Sequence, residues 1–340
     1  MKIFVTGGTG YIGSHTVVEL QKNGYDVIIA DNLVNSSLEV LDGIEKITGI
    51  RPEFEEIDLT DGEVTRDFFA RHSDIRAVIH FAALKAVGES VSKPLEYYFN
   101  NLNSLMNVLT CMREFKVPNL VFSSSCTVYG QADVLPVTEK TPRHEAESPY
   151  GNTKVMSEDI IRDLMRVEPD MKALALRYFN PIGAHPTAFI GELPNGVPNN
   201  LIPYLTQTAI GIREQLSVFG DDYNTPDGSP LRDYIDVVDL AQAHVVAIRR
   251  LLDGKNKKNY EFFNIGTGKA LSVLEIIHAF ERATGVKVNY KIVGRRAGDI
   301  EKVWADTTLA NSELGWKAVT PIEETLANAW KWQKSLETTN

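Results

Sequence analysis

The chain has 340 residues, enough for one large domain or two closely packed ones. Acidic residues outnumber basic ones by 45 to 35, and the formal net charge of −10 argues against nucleic acid or an anionic membrane as a general partner. Neither the two cysteines, Cys111 and Cys126, nor the seven histidines show metal-binding spacing. No apolar run is long enough for a membrane span, and the first strand follows Met1 directly, so we expect no signal peptide and a cytoplasmic protein.

The first predicted elements surround a glycine-rich turn. An apolar strand, Lys2–Val5, precedes the turn, and a helical pattern, Ile12–Leu20, follows it. Glycines at such a strand-to-helix turn let the backbone approach a pyrophosphate, whose charge the first helical N–H groups then bind. The residues predicted to form this cradle are Gly7, Gly10, Tyr11, Ile12 and Gly13.

The next predicted strand, Val27–Ala30, ends at an acidic residue. Asp31 lies 18 residues after Gly13, close to the spacing at which a carboxylate binds a ribose hydroxyl of a dinucleotide. A carboxylate there would repel a 2′-phosphate, so the pattern favours NAD over NADP.

Strand and helix patterns continue to alternate up to Asn180, which predicts an α/β fold with a Rossmann-type, doubly wound parallel sheet. Thr60 is the predicted N-cap of the helix that ends at Arg71. The predicted elements of this half are helices at Ser36–Ile47, Thr60–Arg71, Pro94–Phe115 and Tyr150–Arg166, and strands at Pro52–Ile57, Arg76–His80, Asn119–Phe122 and Met171–Leu176. Polar clusters follow several of these strands, at the edge where such sheets bind ligands.

The second half differs in composition and in its pattern of predicted elements. Residues 181–200 are rich in proline, glycine and asparagine and predict a long functional loop. We expect an NAD-binding domain at 1–180 and a smaller substrate-binding lobe at 181–340. The elements predicted beyond that loop are helices at Asn200–Ile210, Val237–Leu252, Val273–Thr284 and Ile322–Leu336, a strand at Phe262–Ile265 and a loop at Gly220–Pro230.

Tyr150 and Lys154 are spaced i, i+4 on a predicted helix and therefore share a face. A nearby ammonium group, together with a positive nicotinamide ring, would lower the pKa of the phenol and make it a base for a substrate hydroxyl. Ser125 ends the preceding strand and could bond the same hydroxyl. His80, also at a strand end, is interpreted as structural, and Cys126 as a buried bystander.

These features resemble the extended short-chain dehydrogenase/reductase superfamily, and further stretches resemble its nucleotide-sugar 4-epimerases along nearly the whole chain. The matching stretches are Val5–Ser14, His80–Val87, Phe122–Ser125, Thr127–Gly130, Pro149–Lys154, Leu176–Asn180, Asn199–Leu201, Arg232–Ile235, Asn264–Gly268 and Arg295–Asp299.

The resemblance implies interconversion of UDP-glucose and UDP-galactose through a 4-keto sugar, with NAD bound tightly and regenerated. Tyr150 would exchange the O4 proton, Lys154 would tune Tyr150 and hold the nicotinamide ribose, and Ser125 and Thr127 would bind the reacting hydroxyl. The other cofactor-lining residues implied are Asp31, Asn32, Asp58, Leu59, Phe81, Ala82, Lys85, Asn100 and Tyr178. Those implied for the nucleotide and sugar are Asn180, Asn200, Leu201, Phe219, Arg232, Tyr234, Arg296 and Asp299.

Homologous epimerases dimerise through the helices that correspond to Pro94–Phe115 and the Tyr150 helix, so the resemblance also implies a homodimer.

Two other functions stay open. Related dehydratases and decarboxylases carry an acidic residue at the position of Thr127, where this chain has none, and a non-catalytic NAD sensor would not require the intact Tyr150 and Lys154.

Substrate range depends on one position in this family. By the resemblance, Val303 corresponds to a residue that walls the sugar pocket, where tyrosine is associated with plain hexoses and smaller residues also with N-acetylhexosamines. Valine leaves room for an acetamido group, so we hypothesise additional activity on UDP-GlcNAc and UDP-GalNAc; the alternative is that Val303 is simply a core-facing strand residue.

Overall fold

The computed structural model describes residues 1–296 and 300–337. The strands, in chain order, are β1 (Lys2–Thr6), β2 (Asp26–Asp31), β3 (Glu53–Glu56), β4 (Ile75–His80), β5 (Asn119–Ser125), β6 (Lys172–Tyr178), β7 (Asn180–Ile182), β8 (Leu216–Phe219), β9 (Leu231–Arg232), β10 (Tyr234–Asp236), β11 (Tyr260–Ile265), β12 (Leu271–Ser272), β13 (Tyr290–Val293) and β14 (Lys302–Val303). The α-helices are α1 (Tyr11–Lys22), α2 (Glu39–Thr48), α3 (Gly62–Arg71), α4 (Val87–Ser92), α5 (Pro94–Glu114), α6 (Pro149–Val167), α7 (Leu201–Ala209), α8 (Val237–Leu252), α9 (Val273–Thr284) and α10 (Ile322–Glu337). Cys126–Tyr129 forms a 3₁₀ turn and Ala310–Leu314 a π turn.

A seven-stranded parallel sheet forms the centre of the molecule, with the strand order β11-β6-β5-β4-β1-β2-β3. The chain runs outward from β1 to β3 and then returns to place β4 on the other side of β1. The strand order therefore reverses between β1 and β4, and ligands of such sheets bind beyond the carboxyl ends of the strands at that point. The predicted Rossmann-type α/β fold is confirmed.

The central sheet is covered by helices on both faces. Alternation along β1 sends Ile3 and Val5 to one face, where they share a core with residues of α1 and α8. Phe4 points to the other face and packs against Phe68 of α3, with ring centres 4.5 Å apart. All three β1 side chains are fully buried, which explains why this strand is apolar on both faces.

A smaller group of elements follows β6. It contains the pairs β7–β10 and β8–β13 and the three-stranded sheet β12-β9-β14. Helices α7, α9 and α10 enclose a core that includes Leu205, Ile277, Phe280 and Leu326. The central sheet nevertheless takes β11 from this half, and α8 packs against α1. The sheet is therefore not divided at residue 180, and the functional division there stays a prediction.

Several predicted boundaries are wrong for identifiable reasons. The N-cap of α3 is Asp61, not Thr60, because the Asp61 carboxylate accepts from the amides of Glu63 at 2.9 Å and Val64 at 3.1 Å. Helix α2 begins at Glu39 rather than Ser36, whose hydroxyl instead donates to Asp31 at 3.1 Å. The predicted loop from residue 181 begins inside β7.

Candidate active site

The turn after β1 packs closely against neighbouring backbone, which its glycines make possible. Gly7 has a φ of +66°, and a Cβ there would lie 2.8 Å from the backbone nitrogen of Ala82. A Cβ on Gly13 would lie 2.2 Å from the Gly7 carbonyl oxygen. Gly10 is the N-cap of α1 and has no side chain with which to cap it. The positive end of α1, starting at Tyr11, is thus presented to an anion such as a pyrophosphate.

A carboxylate lies next to this turn, as predicted. Asp31 accepts from the amides of Thr9 at 3.3 Å and Leu33 at 3.0 Å and from the Ser36 hydroxyl at 3.1 Å. These bonds fix Asp31 at the carboxyl end of β2, beside the helix N-terminus. The Asn32 side chain next to it accepts from a backbone amide two residues on. An ordered carboxylate here suits a ribose hydroxyl.

The two predicted residues after β3 lie at the next strand end. Asp58 accepts from the amide and the hydroxyl of Thr60, at 2.9 and 2.8 Å. Leu59 is buried, and its carbonyl oxygen accepts from the Asn107 side chain at 2.9 Å.

The loop after β4 is tied to the end of β1. The Thr6 hydroxyl oxygen accepts from the amides of Phe81 at 3.2 Å and Ala82 at 3.1 Å, and it lies 3.0 Å from Nδ1 of buried His80. Both predicted cofactor residues, Phe81 and Ala82, are therefore held against Gly7. His80 has the structural role that was predicted for it.

One acidic residue that the sequence did not single out joins the two halves at this edge. Glu192 lies 3.7 Å from the Lys85 ammonium and accepts from the Asn200 side chain at 2.6 Å. The same ammonium lies 5.9 Å from the ring centre of Tyr11, whose hydroxyl donates to the Gly183 carbonyl at 2.8 Å. A predicted cofactor residue and a predicted substrate residue thus share one carboxylate.

A second unpredicted residue shapes the loop that carries Lys85. The side-chain oxygen of Asn101 accepts from the amide of Leu84 at 2.8 Å, and its nitrogen donates back to the Leu84 carbonyl at 3.0 Å. The predicted residue Asn100 is its neighbour and donates to the same oxygen at 3.0 Å. Side-chain bonds of this kind depend on loop geometry and leave no periodic signal in a sequence.

The Tyr150–Lys154 pair faces the carboxyl end of β5. Lys154 is only 4% exposed, and its ammonium donates to the Ser123 carbonyl at 2.7 Å. The ammonium nitrogen lies 5.8 Å from the ring centre of Tyr150. On β6, the Tyr178 hydroxyl forms a very short hydrogen bond with the Ser123 hydroxyl. The structure therefore brings Tyr150, Lys154, Ser125 and Tyr178 to one point.

Burial dominates the proton affinities at this point. It raises the pKa of the Tyr150 phenol well above its ordinary value, the nearby Tyr178 and Cys126 add to the rise, and a polar contact with Ser125 opposes it. Burial also lowers the pKa of Lys154 to about 8. In the protein alone, desolvation thus raises the pKa of Tyr150, whereas the predicted lowering also involves the positive charge of a bound nicotinamide ring.

Thr127 has a feature that calls for a ligand near the catalytic pair. Its hydroxyl oxygen is buried and has no hydrogen-bond partner within the described residues. Its Cβ lies 3.4 Å from the position that a Cβ on Gly151 would take, next to Tyr150. A buried hydroxyl without a partner costs free energy, so a bound hydroxyl group would stabilise it.

Strand pairing brings four of the predicted sugar-binding residues together in two pairs. Tyr234 pairs in register with Asn180, and Val303 pairs with Arg232. The guanidinium of Arg296 lies 5.6 Å from the ring centre of Phe219. The last two predicted members are Leu201, which opens α7, and Asp299, which lies outside the described residues.

Arg232 and Val303 show that the predicted sugar-binding residues lie close to the catalytic residues. Burial raises the pKa of the Cys126 thiol to about 12, and the charge of Arg232 opposes that rise, which places Arg232 near the start of the turn that contains Thr127. Val303 is buried in a cluster with Val128 and Phe179. Val303 is thus a core residue of the wall behind the catalytic turn.

Residues 1–296 and 300–337 contain no group of three or more His, Cys, Asp or Glu side chains placed to hold a metal ion. Within the same residues, none of the helices has the length and apolar character needed to cross a membrane.

A glycine cradle at the strand-order reversal, an acidic residue at the end of β2 and a buried Tyr–Lys pair together define a dinucleotide-dependent enzyme of the extended short-chain dehydrogenase/reductase type. Residues 3–266 match the model of the NAD dependent epimerase/dehydratase family.

Similar proteins identify the family within this class of enzymes. The UDP-glucose 4-epimerase of Bacillus subtilis is 51% identical over 335 residues, covering 98% of this chain and 97% of the relative. That of Mus musculus is 49% identical over 339 residues, covering 98% and 96%. The chain belongs to the UDP-glucose 4-epimerase family.

Solved structures of UDP-glucose 4-epimerases are similar to this structure over its full length. The UDP-glucose 4-epimerase of Stenotrophomonas maltophila, with bound NAD and formylated UDP-arabinopyranose, has a TM-score of 0.96 and 47% identity and covers 100% of both chains. That of Bifidobacterium longum, in complex with NAD+ and UDP, has a TM-score of 0.95 and 45% identity, again over 100% of both chains.

Proposed function

We propose that this chain is an NAD-dependent 4-epimerase that interconverts UDP-glucose and UDP-galactose. The observation that carries the proposal is the convergence of Tyr150, Lys154, Ser125 and Thr127 at one edge of the sheet, where the Thr127 hydroxyl has no hydrogen-bond partner among residues 1–296 and 300–337. Family membership along the whole chain supports the same reaction.

The residues present fit NAD. The glycine turn and the positive end of α1 suit the pyrophosphate, and Asp31 suits an unphosphorylated ribose. Lys85 and Lys154 offer positive charge along the same edge. When bound, NAD supplies a hydride acceptor that returns the hydride to the sugar, so the overall reaction consumes no cofactor.

The chain's own groups handle the proton of the sugar O4 hydroxyl. As a phenolate, Tyr150 accepts this proton and becomes a phenol, and it later returns the proton, while the positive charge of Lys154 stabilises the phenolate before the first transfer and after the second. Ser125 and Thr127 hold the hydroxyl in place. Because burial raises the pKa of Tyr150, the side chain stays a protonated phenol that cannot accept a proton until positive charge beside it favours the phenolate, which couples proton transfer to a filled site.

Positive side chains in the second half suit the UDP diphosphate. Arg232 and Arg296 can pair a diphosphate bidentately, since guanidinium groups match its oxygen atoms. An acidic chain can thus bind an anion locally. Asn180, Asn200 and Tyr234 offer further polar groups for the nucleotide and sugar, and Leu201 and Phe219 offer apolar surface.

We also propose activity on UDP-GlcNAc and UDP-GalNAc. Val303 pairs with Arg232 and packs behind the turn that bears Thr127. A tyrosine at this position would add an aromatic ring to the wall that Val303 forms.

The proposed assembly is a homodimer formed through α5 and α6. Leu95, Phe99 and Met106 lie along one side of α5, and Leu95 is 81% and Phe99 62% exposed. Met156 of the adjacent α6 is also exposed. An apolar surface that spans two packed helices suits a second copy. Sedimentation of the wild type and of Phe99→Glu tests it: a dimer that becomes monomeric supports the interface, and an unchanged dimer contradicts it.

The proposed compartment is the cytoplasm. Both Cys111 and Cys126 are free thiols, as expected in a reducing environment.

A substrate panel tests the reaction class. The purified protein, without added NAD, is incubated with UDP-galactose, UDP-glucose, UDP-GlcNAc, UDP-GalNAc and UDP-glucuronate, and the products are separated by anion exchange. We expect interconversion within the glucose pair and within the N-acetyl pair. A 4-keto-6-deoxy product would identify a dehydratase, and a UDP-pentose formed from UDP-glucuronate with loss of carbon dioxide would identify a decarboxylase. A folded, NAD-loaded protein without any turnover would be a sensor.

A further inference from the structure

The catalytic helix carries a third polar side chain on the face that bears Tyr150 and Lys154. Glu158 follows Lys154 by four residues, so the three side chains occupy consecutive turns of α6. The Glu158 side chain is 0% exposed. A buried carboxylate costs free energy unless its oxygens are paired, so its partners show what it holds together.

The partners of Glu158 come from three other segments of the chain. The Ser124 hydroxyl of β5 donates to Oε1 at 2.6 Å. Arg177 of β6 donates to Oε1 at 2.8 Å and to Oε2 at 2.5 Å, and its side chain is only 3% exposed. Arg143, from the segment before α6, forms a very short ion pair with Oε2. The carboxylate is thus a cross-link between the catalytic helix and the two strands it faces.

Both strands carry groups that contact the catalytic pair right beside this cross-link. Ser124 stands between Ser123, whose carbonyl accepts from Lys154 at 2.7 Å, and Ser125, which contacts Tyr150. On β6, Arg177 immediately precedes Tyr178, whose hydroxyl bonds the Ser123 side chain. A shift of α6 along these strands would therefore break the contacts of both catalytic groups at once.

We propose that Glu158 is a positioning residue for the Tyr150–Lys154 pair, which locks α6 to the ends of β5 and β6 and places a negative charge one turn from the Lys154 ammonium. This inference rests on the proposed epimerase function.

The charged groups around Lys154 support the proposed electrostatic effect of Glu158 on the Lys154 ammonium. On its own helix its neighbours are Tyr150 and Glu158, and its charge acts on His80 of β4. Tyr178 of β6 bonds the side chain of Ser123, whose carbonyl accepts from Lys154. Burial and the Lys154 charge lower the pKa of His80 to about 3, and burial raises that of Tyr178 to about 12, so both are neutral near pH 7. Glu158 is the carboxylate that opposes the fall in the pKa of Lys154 caused by burial.

The test compares Glu158→Gln with a matched variant, Glu261→Gln. Glu261 is also a nearly buried carboxylate of the central sheet and pairs with Arg250 at 2.8 Å, but its partners lie away from the catalytic strand ends. Both variants leave a guanidinium with a weakened partner, so both should lower the melting temperature. Only Glu158→Gln should reduce kcat for UDP-galactose, on the order of 10–100-fold with KM little changed, because the reacting groups are misplaced. It should also move the alkaline limb of the kcat–pH profile to lower pH by about one unit.

Equal losses of kcat in the two variants, with the alkaline limb unmoved, would overturn the proposal. If Glu158→Gln does not fold, Ser124→Ala removes one bond to the same carboxylate and keeps its charge. It should lower kcat several-fold and leave the alkaline limb in place, and a wild-type kcat would contradict the positioning role. NMR titration of isotope-labelled lysine ε-carbons, assigned with Lys154→Met, measures the Lys154 pKa without turnover. A lower pKa in Glu158→Gln supports the inference even if the wild type fails on UDP-sugars, which would refute only the proposed function.

Discussion

Replacing one glycine in the turn after β1 should separate the conformational role of glycine from its role in cofactor binding. Gly7 combines a φ of +66° with a Cβ position 2.8 Å from the Ala82 nitrogen and 3.2 Å from the Phe81 carbonyl carbon. Gly49, at the end of α2, has a φ of +75° and nothing within 4 Å of its Cβ position. Alanine at Gly49 therefore measures the cost of the left-handed conformation alone, about 1–2 kcal/mol.

Alanine at Gly7 should cost more because the neighbouring atoms belong to the backbone and cannot rotate away. Overpacking typically adds about 1–3 kcal/mol, for a total of about 2–5 kcal/mol. The displaced loop carries Phe81 and Ala82, so Gly7→Ala should also lose NAD. Urea unfolding gives the free energies, and absorbance of the supernatant after denaturation gives the NAD content. If Gly7→Ala matches Gly49→Ala in both stability and NAD content, the cradle does not depend on this contact.

The remaining predictions concern the catalytic pair, the cofactor and the sugar pocket. Tyr150→Phe should keep its fold and NAD but lose about 10²–10⁴-fold in kcat, since general acid–base groups typically contribute that much; a near-normal rate would place the base elsewhere. NAD should be found in the denatured supernatant of the wild type, because Asp31 would repel a 2′-phosphate, and recovery of NADP would refute this assignment. Val303→Tyr should abolish turnover of UDP-GlcNAc and spare UDP-galactose; retained UDP-GlcNAc turnover, or equal loss on both substrates through overpacking, would show that Val303 is not the gate.

The sequence predicts the fold well because the central sheet is built from local signals. Buried strands such as Ile75–His80 are apolar runs, and α9 is flanked by Ser272, which forms a capping box with Glu275, and by Gly285 in the left-handed conformation. Strands β9, β12 and β14 have only two residues each, too few for any periodicity, and were missed. Their pairing depends on contacts between distant segments.

In the candidate site, too, the sequence predicts residues with local patterns but not contacts between distant segments. Motif residues such as Gly7 and Tyr150 are identified by spacing, since one turn or one helix face fixes their geometry. Glu192 pairs with Lys85, more than a hundred residues away in the chain, and Glu158 pairs with residues of β5 and β6. The sequence shows that both residues are acidic but does not show which residues they contact. The direction of the Tyr150 pKa also required the structure, because the extent of burial cannot be read from i, i+4 spacing.

The most direct test of the proposed reaction follows the hydrogen at C4 of the sugar. UDP-galactose carrying deuterium at C4 is converted by the purified protein in ordinary water, and the UDP-glucose formed is analysed by mass spectrometry and NMR. We expect the product to keep the deuterium at C4, because the hydrogen leaves and returns within one closed site while only the O4 proton exchanges through Tyr150. Loss of the label to water, or its appearance at another carbon, would contradict a 4-epimerase that oxidises and reduces C4.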